Sequence, residues 1–421
     1  MIKEYNETKI INQLIEIVEY GKQNCLFYNY KFSNKSIKKL EDFRMLPVTK
    51  SEELYENTPP HTTNILTNPT LSNSYVFITG GTTNKPKYVF RNFEDFDDQA
   101  KYFKSQNFSK TDRVANLFAQ GMWGCFTSWN KGLEKLNCFI LPIGSSSLKD
   151  NIIDATLKVF EDLKINALIA VPSTIIKFAL FLEKKPNSVW NPERALKILV
   201  GGELMTPSMI KFMKSIFKNA DIRSLYATTE IGGVGYQCEF CKPNQYHVFK
   251  NIFLEIVNKD NPHLAVKANN RGEILATNLN KRIMPIIRFS TGDEGKFIDN
   301  CSCNSNDPKI EIFGRMDNIL CVGSTNIPLN LISEVVELFP ELTQNFQLIA
   351  DKEGPQDVLI VKIEAKTEKL PKKLKDQVKT AINNTCSEPI NNLTVQFLPI
   401  GGIERNPRNN KIKRIIDYRW L

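Results

Sequence analysis

The sequence predicts an α/β protein: a large N-terminal α/β domain with several sheets, a strand-rich subdomain inside it, and a small C-terminal α+β domain. Three observations carry this. Apolar runs of strand length alternate with segments of helical period through most of the chain. From about residue 248 the texture turns strand-rich. The C-terminal segment then starts a fresh alternation of its own. With 421 residues, 42% hydrophobic and 24% charged, the chain has globular composition and the length of roughly two or three domains. The expected domains are residues 1–316, with the strand-rich part at about 237–316, and residues 317–421.

The elements follow in order. Residues 8–20 place Ile10, Ile11, Leu14, Ile15 and Val18 on one side of an amphipathic helix. "YVFI" (Tyr75 to Ile78) is a strand, and "RVANLFA" and "NCFILPIG" are strands around a helical "GMWGCFTSWNKGLEKL". The most apolar window, Ile165 to Leu182, is interrupted by Asn166, Pro172, Ser173 and Lys177. It reads as a strand, a turn at Pro172–Ser173 and a helix, because a membrane span needs about 20 predominantly apolar residues. "ALKILVGGE" is a strand ending in a Gly-Gly turn. "TPSMIKFMKSIFK" is a helix with Thr206 as N-cap and Pro207 at its first position. "DIRSLYATTEIGG" is a short strand running into a polar loop, and "NIFLEIV", "RGEILATN" and "MPIIRFS" are the strand-rich segment. In the last domain "NLISEVVELF" and "KKLKDQVKTAINN" are helices, and "FQLIAD", "DVLIVKIEA" and "LTVQFLPI" are strands.

Fifty-five lysines and arginines against 46 acidic residues give a net charge of +9, a mild excess that favours anionic partners such as nucleotides. No basic stripe interleaved with aromatics appears, so nucleic acid is not the expected partner. The N-terminus is charged throughout and lacks the apolar core of a signal peptide. The expectation is a cytoplasmic protein with its nine cysteines reduced, no membrane partner, and a monomeric or homodimeric state. Only three histidines exist, none in a nucleophile–base motif, which disfavours a hydrolase.

Five segments carry chemistry. "TGGTTNKPK" (Thr79 to Lys87) follows a strand and packs small residues, hydroxyls and two lysines together. Successive N–H groups in such a turn make an anion-binding concavity, although a polar strand-to-strand turn has the same composition. It is not the G-x-x-x-x-G-K-[ST] phosphate loop. "YATTEIGG" (Tyr226 to Gly233) offers an aromatic face for a base, hydroxyls for phosphate and a carboxylate for Mg²⁺; a helix start capped by Thr228 or Thr229 is the plain alternative. "RFSTGDEG" sets Asp293 after a Thr-Gly turn, where it suits the paired hydroxyls of a ribose or closes an Asx-turn. "FGRMDNIL" puts Arg315 and Asp317 at the domain boundary, and "IERNPRNNKIKRIIDYR" places Lys411 in a polar loop.

Taken in order, these segments resemble the adenylate-forming acyl and aryl synthetases, and within them the phenylacetate–CoA ligase group. "TGGTTNKPK" is similar to the superfamily's [ST]-[SG]-G-[ST]-T-G-x-P-K loop, "YATTE" to its Y-G-x-T-E, and "STGD" to its [YR]-x-T-G-D. "GRMDN" matches G-R-x-D-[DN] and "NNKIKR" matches x-G-K-[IA]-x-R. "LPVTKSEELYEN", "MPIIRFSTGD" and the tail "KRIIDYR" resemble the subgroup, so the likeness spans roughly residues 46–419. It implies that a carboxylic acid attacks the α-phosphate of ATP to give acyl-AMP and pyrophosphate, and that a thiol then displaces AMP. The thiol would belong to coenzyme A or to a carrier-protein phosphopantetheine.

Carried over residue by residue, Thr79, Gly80, Gly81, Thr82, Thr83 and Lys87 would hold the pyrophosphate end, Thr229 the α-phosphate and Glu230 the Mg²⁺. Tyr226 would lie against adenine, and Asp293, helped by Arg315, would hold the ribose. Lys411 would bridge substrate and phosphate during adenylation, with Lys413 its nearest rival. Asp317 would be the hinge on which the small domain rotates as a mobile lid between half-reactions. Three positions depart from the pattern: Asn84, Ala227 and Asn410 stand where the family has glycine. Asparagine best tolerates left-handed backbone, so Asn84 and Asn410 keep that option, whereas Ala227 implies φ below zero.

Cys238 and Cys241 (C-x-x-C) and Cys301 and Cys303 (C-x-C) supply four thiolates, the number a structural zinc needs. Both pairs flank the strand-rich segment, so a Zn²⁺ would clip its ends. Free buried cysteines or disulfides are the alternatives, and His247 is a weaker ligand candidate that reads more readily as a neutral histidine packed near the site. By resemblance the acyl pocket lies among Met122, Trp123, Phe126, Gly201, Gly202, Met205 and Gly232, although ordinary core has the same composition. Glycines 201, 202, 232 and 233 would leave room for a flat ring, favouring an aryl or arylacetic acid. Two other readings stand beside this one: an adenylation enzyme that loads a carrier protein or another protein acceptor, and a non-enzymatic nucleotide- or nucleic-acid-binding protein.

Overall fold

The computed structural model describes residues 7–418 apart from 80–86, 150, 204, 206, 268, 300, 304, 317–318, 323–324, 354–355, 368, 387–389, 391 and 408–409. Side chains at 7, 8, 79, 208, 315, 319, 321, 325, 326, 352, 353, 356 and 357 are also outside the description. The expected Thr206 cap, Asn84 and Asp317 therefore lie outside it.

The chain divides into two compact units, Met1–Phe313 and Gly314–Leu421. The first is built on an eleven-stranded sheet. One half is parallel, in the order Phe139–Leu141, Arg113–Asn116, Ala167–Ala170, Lys197–Gly201 and Asp221–Thr228. These strands are short and apolar because helices cover them; Ala167 to Ala170 are fully buried. The helices Gly124–Glu134, Ile153–Asp162, Pro172–Lys184 and Pro207–Ile216 make the crossovers. Pro172 opens its helix rather than merely turning the chain, with Val171 as N-cap. The strand order reverses beside Arg113–Asn116, and open α/β sheets bind ligands outside the carboxyl ends of strands near such a reversal.

The other half continues through Gly232–Tyr236, Gln245–Val248, Lys309–Arg315, Phe289–Ile298, Gly272–Asn278 and Ile252–Val257. Gly232–Tyr236 and Gly272–Asn278 each pair antiparallel with both neighbours, and Gln245–Val248 pairs antiparallel with Lys309–Arg315. Two expectations change here. "MPIIRFS" is not a strand from its start: the strand begins at Phe289, because Arg288 has φ +45°. That turn lets its fully buried guanidinium reach Glu255 at 3.0 and 3.1 Å, the Pro262 carbonyl at 2.7 Å and the Leu46 carbonyl. The Thr-Gly turn before Asp293 is an irregularity inside a strand. Gly292 has φ +72° and the register against Gly272–Asn278 shifts there, which re-aims Asp293.

A separate two-stranded ribbon, Ser74–Thr79 with Lys87–Asn92, brackets the "TGGTTNKPK" loop. The second unit has a four-stranded sheet ordered Leu393–Leu398, Gln356–Ala365, Leu342–Glu353, Ile415–Asp417, packed by the helices Leu329–Glu337 and Leu374–Thr385. Ile415–Asp417 was not evident as a strand from sequence: it has only three residues and is held by parallel pairing to Leu348–Ala350. Among the described residues no helix is long and apolar enough to cross a membrane, and none of the eight cysteines whose side chains are described forms a disulfide.

Candidate active site

The hairpin Asp221–Thr228 and Gly232–Tyr236 carries the centre of the site at the carboxyl end of the last parallel strand. "YATTEIGG" is thus strand, turn and strand rather than a loop or a helix start. Thr228 Oγ1 accepts from the Ile231 N–H at 3.1 Å and closes the turn that presents Thr229 and Glu230. Ala227 stays in the extended strand, where no left-handed backbone is required.

Two contacts knit the predicted residues together. Lys87 Nζ donates to Glu230 Oε1 at 2.7 Å and to Ser51 Oγ at 3.1 Å. Both partners are largely buried, with side chains 13% and 9% exposed. The lysine that ends the loop therefore already meets the carboxylate expected to hold Mg²⁺. Tyr226 Oη donates to Asp293 Oδ2 at 2.5 Å, joining the expected adenine and ribose residues across the sheet. Of the loop, the side chain of Thr79 and all of Gly80, Gly81, Thr82 and Thr83 lie outside the description, as does the side chain of Arg315.

Near the acyl segment, the Ile78 N–H donates to the Met122 carbonyl at 2.9 Å, so the strand entering the loop also fixes the start of the "MWGCF" run. Met122 is exposed, while Trp123 and Phe126 are half-buried. A Cβ on Gly124 would meet the Phe77 ring at 3.4 Å. The glycines do not all open space for a ring. A Cβ on Gly201 would lie 3.0 Å from the Trp129 indole, and one on Gly233 only 2.4 Å from Tyr102. At Gly232, φ +91°, a Cβ would come 3.5 Å from the Arg282 guanidinium. At Gly201 and Gly233 protein side chains fill the volume that the sequence offered to substrate. Met205 is buried as well.

In the second unit Lys411 sits on a tight loop. Arg405 bridges Ile412, and the Asn406 N–H donates to the Lys411 carbonyl at 2.9 Å. Asn410 has φ +59°, the left-handed backbone for which asparagine was expected to replace glycine.

The cysteines converge too. Ligand atoms of Cys238, Cys241, His247 and Cys301 lie within 4.8 Å of one another. Cys238 Sγ is 3.6 Å from Cys241 Sγ and 3.3 Å from Cys301 Sγ. A tetrahedral Zn²⁺ with bonds near 2.3 Å separates its sulfurs by about 3.8 Å, so the group fits that ion. Cys303 lies 3.3 Å from His247 Nε2 and within hydrogen-bond reach of Cys238 and Cys301, so the fully buried His247 joins the four thiols that the spacing offered. Burial opposes ionisation of Cys301, but hydrogen bonds from the Cys303 backbone and from Cys238 and His247 outweigh it and bring the thiol down to about 6.

The family model described as AMP-binding enzyme matches residues 27–279, and that for the AMP-binding enzyme C-terminal domain matches residues 326–419. The chain belongs to the AMP-binding enzymes. It is 24% identical to the phenylacetate–coenzyme A ligase of Aromatoleum evansii over 96% of this chain and 92% of that one. It is 23% identical to the phenylacetate–coenzyme A ligase of Escherichia coli (strain K12) over 84% and 81%. Among solved structures, 2-hydroxyisobutyryl-CoA ligase in its postadenylation state aligns with a TM-score of 0.83 at 19% identity, covering 98% of this chain and 90% of that one. The anthranilate CoA ligase bound to anthranoyl-AMP aligns at 0.63 and 15% identity, covering 80% and 65%. These likenesses make the fold of this AMP-binding enzyme that of the adenylate-forming CoA ligases.

Proposed function

We propose that this AMP-binding enzyme activates a carboxylic acid with ATP to an acyl-adenylate, releasing pyrophosphate, and then transfers the acyl group to coenzyme A. The observation that carries the reading is the Lys87–Glu230 pair at the end of the sheet, beside the Tyr226–Asp293 bond. A polyphosphate demands cationic charge and a metal-binding carboxylate, and adenylation is mostly positioning and electrostatics. Thr79 to Lys87 hold the pyrophosphate end, Thr229 contacts the α-phosphate and Glu230 holds Mg²⁺. Tyr226 covers adenine, Asp293 and Arg315 hold the ribose, and Lys411 joins in adenylation, with the segment around Asp317 as hinge.

The acid is an aryl or arylacetic one, bound by Met122, Trp123 and Phe126. Support comes from the phenylacetate–coenzyme A ligases to which the chain is similar along most of its length. Cys238, Cys241, Cys301 and His247 hold a structural Zn²⁺ that ties together the ends of the antiparallel half-sheet. Incubation with ATP, Mg²⁺, coenzyme A and phenylacetate or substituted benzoates should yield AMP and a thioester in equal amounts. AMP formed without any thioester would exclude coenzyme A as acceptor.

A further inference from the structure

Two buried arginines, Arg91 and Arg282, lie against the Thr229–Ile231 turn; they are 6% and 2% exposed. Arg91 Nη2 donates to the carbonyls of Thr229 at 2.9 Å and Glu230 at 2.5 Å. Arg282 Nη1 donates to the Ile231 carbonyl at 2.7 Å, where Asn278 Nδ2 also binds at 3.0 Å. Three consecutive carbonyls are thus held by guanidinium donors. Gly232 carries the backbone past both groups: a Cβ there would come 3.5 Å from Arg282 Nη1 and 3.9 Å from Arg91 Nη2.

The two arginines differ in company. Arg282 is balanced by Asp98 at 3.3 Å and Asp95 at 3.8 Å. Among the described residues Arg91 has no acidic side chain at such range, and its Nη1, like Arg282 Nε, is buried with no hydrogen-bond partner. Burial, with the Arg282 charge next to it, pulls the Arg91 guanidinium down to about 9. As packing alone this is unfavourable, since a buried donor left unsatisfied destabilises the fold.

Position gives Arg91 a use. It lies on the strand Lys87–Asn92 that leaves the "TGGTTNKPK" loop, and alternate residues of a strand share a face. Lys87 and Arg91 therefore project to the same side. One grips the Glu230 carboxylate and the other the Glu230 carbonyl.

We propose that Arg91 is a positioning residue of the nucleotide site: by binding the Thr229 and Glu230 carbonyls from the strand after the loop, it fixes the orientation in which the Glu230 carboxylate meets the Mg²⁺ of Mg-ATP. The proposal rests on the reading of Glu230 given above. Its test is the affinity of the full-length protein for ATP, by calorimetry, in magnesium-free buffer and with Mg²⁺, for wild type, Arg91→Gln and Arg91→Lys, with melting temperatures alongside. In the wild type Mg²⁺ should tighten ATP binding. Arg91→Gln should lose about tenfold of that gain, the size of one charged hydrogen bond, while magnesium-free affinity stays within about twofold of the wild type. Arg91→Lys, which keeps charge and one donor, should recover part of the loss. An unchanged Mg²⁺ gain in folded Arg91→Gln overturns the proposal, as does an equal fall in both conditions. Failure of both variants to fold would make Arg91 a purely structural group and also overturn it. If Mg²⁺ gives no gain even in the wild type, the role assigned to Glu230 falls first and this proposal with it.

Discussion

Lys87 Nζ and Glu230 Oε1 lie 2.7 Å apart, joining the end of a glycine- and threonine-rich loop to a turn 143 residues later in the chain. A cation and a carboxylate at this spacing, both largely buried, are strong partners. They also make the end of the loop and the carboxylate proposed to bind Mg²⁺ a single electrostatic unit.

Glu230→Gln keeps the shape of the side chain and a hydrogen-bond acceptor for Lys87 but removes the charge. Adenylation should fall roughly 10²–10³-fold, the scale of losing one preorganised electrostatic group. Thioester formation from supplied acyl-AMP and coenzyme A should fall far less. Rapid-quench assays of both half-reactions check this, and equal losses in the two would remove Glu230 from the ATP-dependent step.

Tyr226→Phe deletes the donor to Asp293 and leaves the aromatic face. A hydrogen bond to a charged group contributes about 1.5–3 kcal/mol. Nucleotide affinity should therefore weaken by about one to two orders of magnitude, with the KM for the acid nearly unchanged. Titration with ATP and with the acid separates the two.

Zinc analysis of protein purified without chelators should give about one ion per chain, by the four-ligand rule. Cys238→Ser and His247→Ala should lose the ion and lower the melting temperature. Cys303→Ser should keep the ion, because Cys238, Cys241, His247 and Cys301 already make four ligands whose atoms all lie within 4.8 Å of one another. Metal content near zero in the wild type would refute the site; loss of zinc from Cys303→Ser alone would exchange the two ligands.

Arg288→Met strands Glu255 in the sheet. Breaking a buried pair by removing one partner costs about 3–5 kcal/mol, measurable by urea unfolding. Burial lifts the Glu255 carboxyl above its ordinary value and the Arg288 charge opposes that lift. Without Arg288 the folded-state value rises further. Between the unfolded and folded values the folded protein binds the extra proton, so stability falls as pH rises through that window. The deficit of Arg288→Met should therefore shrink toward acidic pH. A deficit independent of pH would mean that the cost is packing alone.

Much of this was legible in the sequence for physical reasons. Strand-length apolar runs alternating with helical periods favour covered parallel strands, and the half-sheet from Phe139–Leu141 to Asp221–Thr228 is that. Asn410 was readable because few side chains other than glycine tolerate φ near +59°. Arg91 and Arg282 were not. A buried arginine has no local signature, and the contacts of Arg91 span 138 and 139 residues. The volumes at Gly201 and Gly233 were misjudged for the same reason: Trp129 and Tyr102 fill them from distant helices. Arg288 broke an apolar strand pattern because its charge had to turn toward Glu255. His247 carried a weak cue, its nearness to Cys241, but only the pairing of Gln245–Val248 with Lys309–Arg315 brings it to the thiolates.

The most direct test of the account is ATP–pyrophosphate exchange by the wild-type protein across a panel of aryl, arylacetic, short-chain and amino acids, with Mg²⁺ and without coenzyme A. Exchange should depend on the acid, be strongest for an aryl or arylacetic acid, and be nearly lost in Glu230→Gln. Exchange with no acid in the panel, or exchange unaffected by Glu230→Gln, would contradict the account.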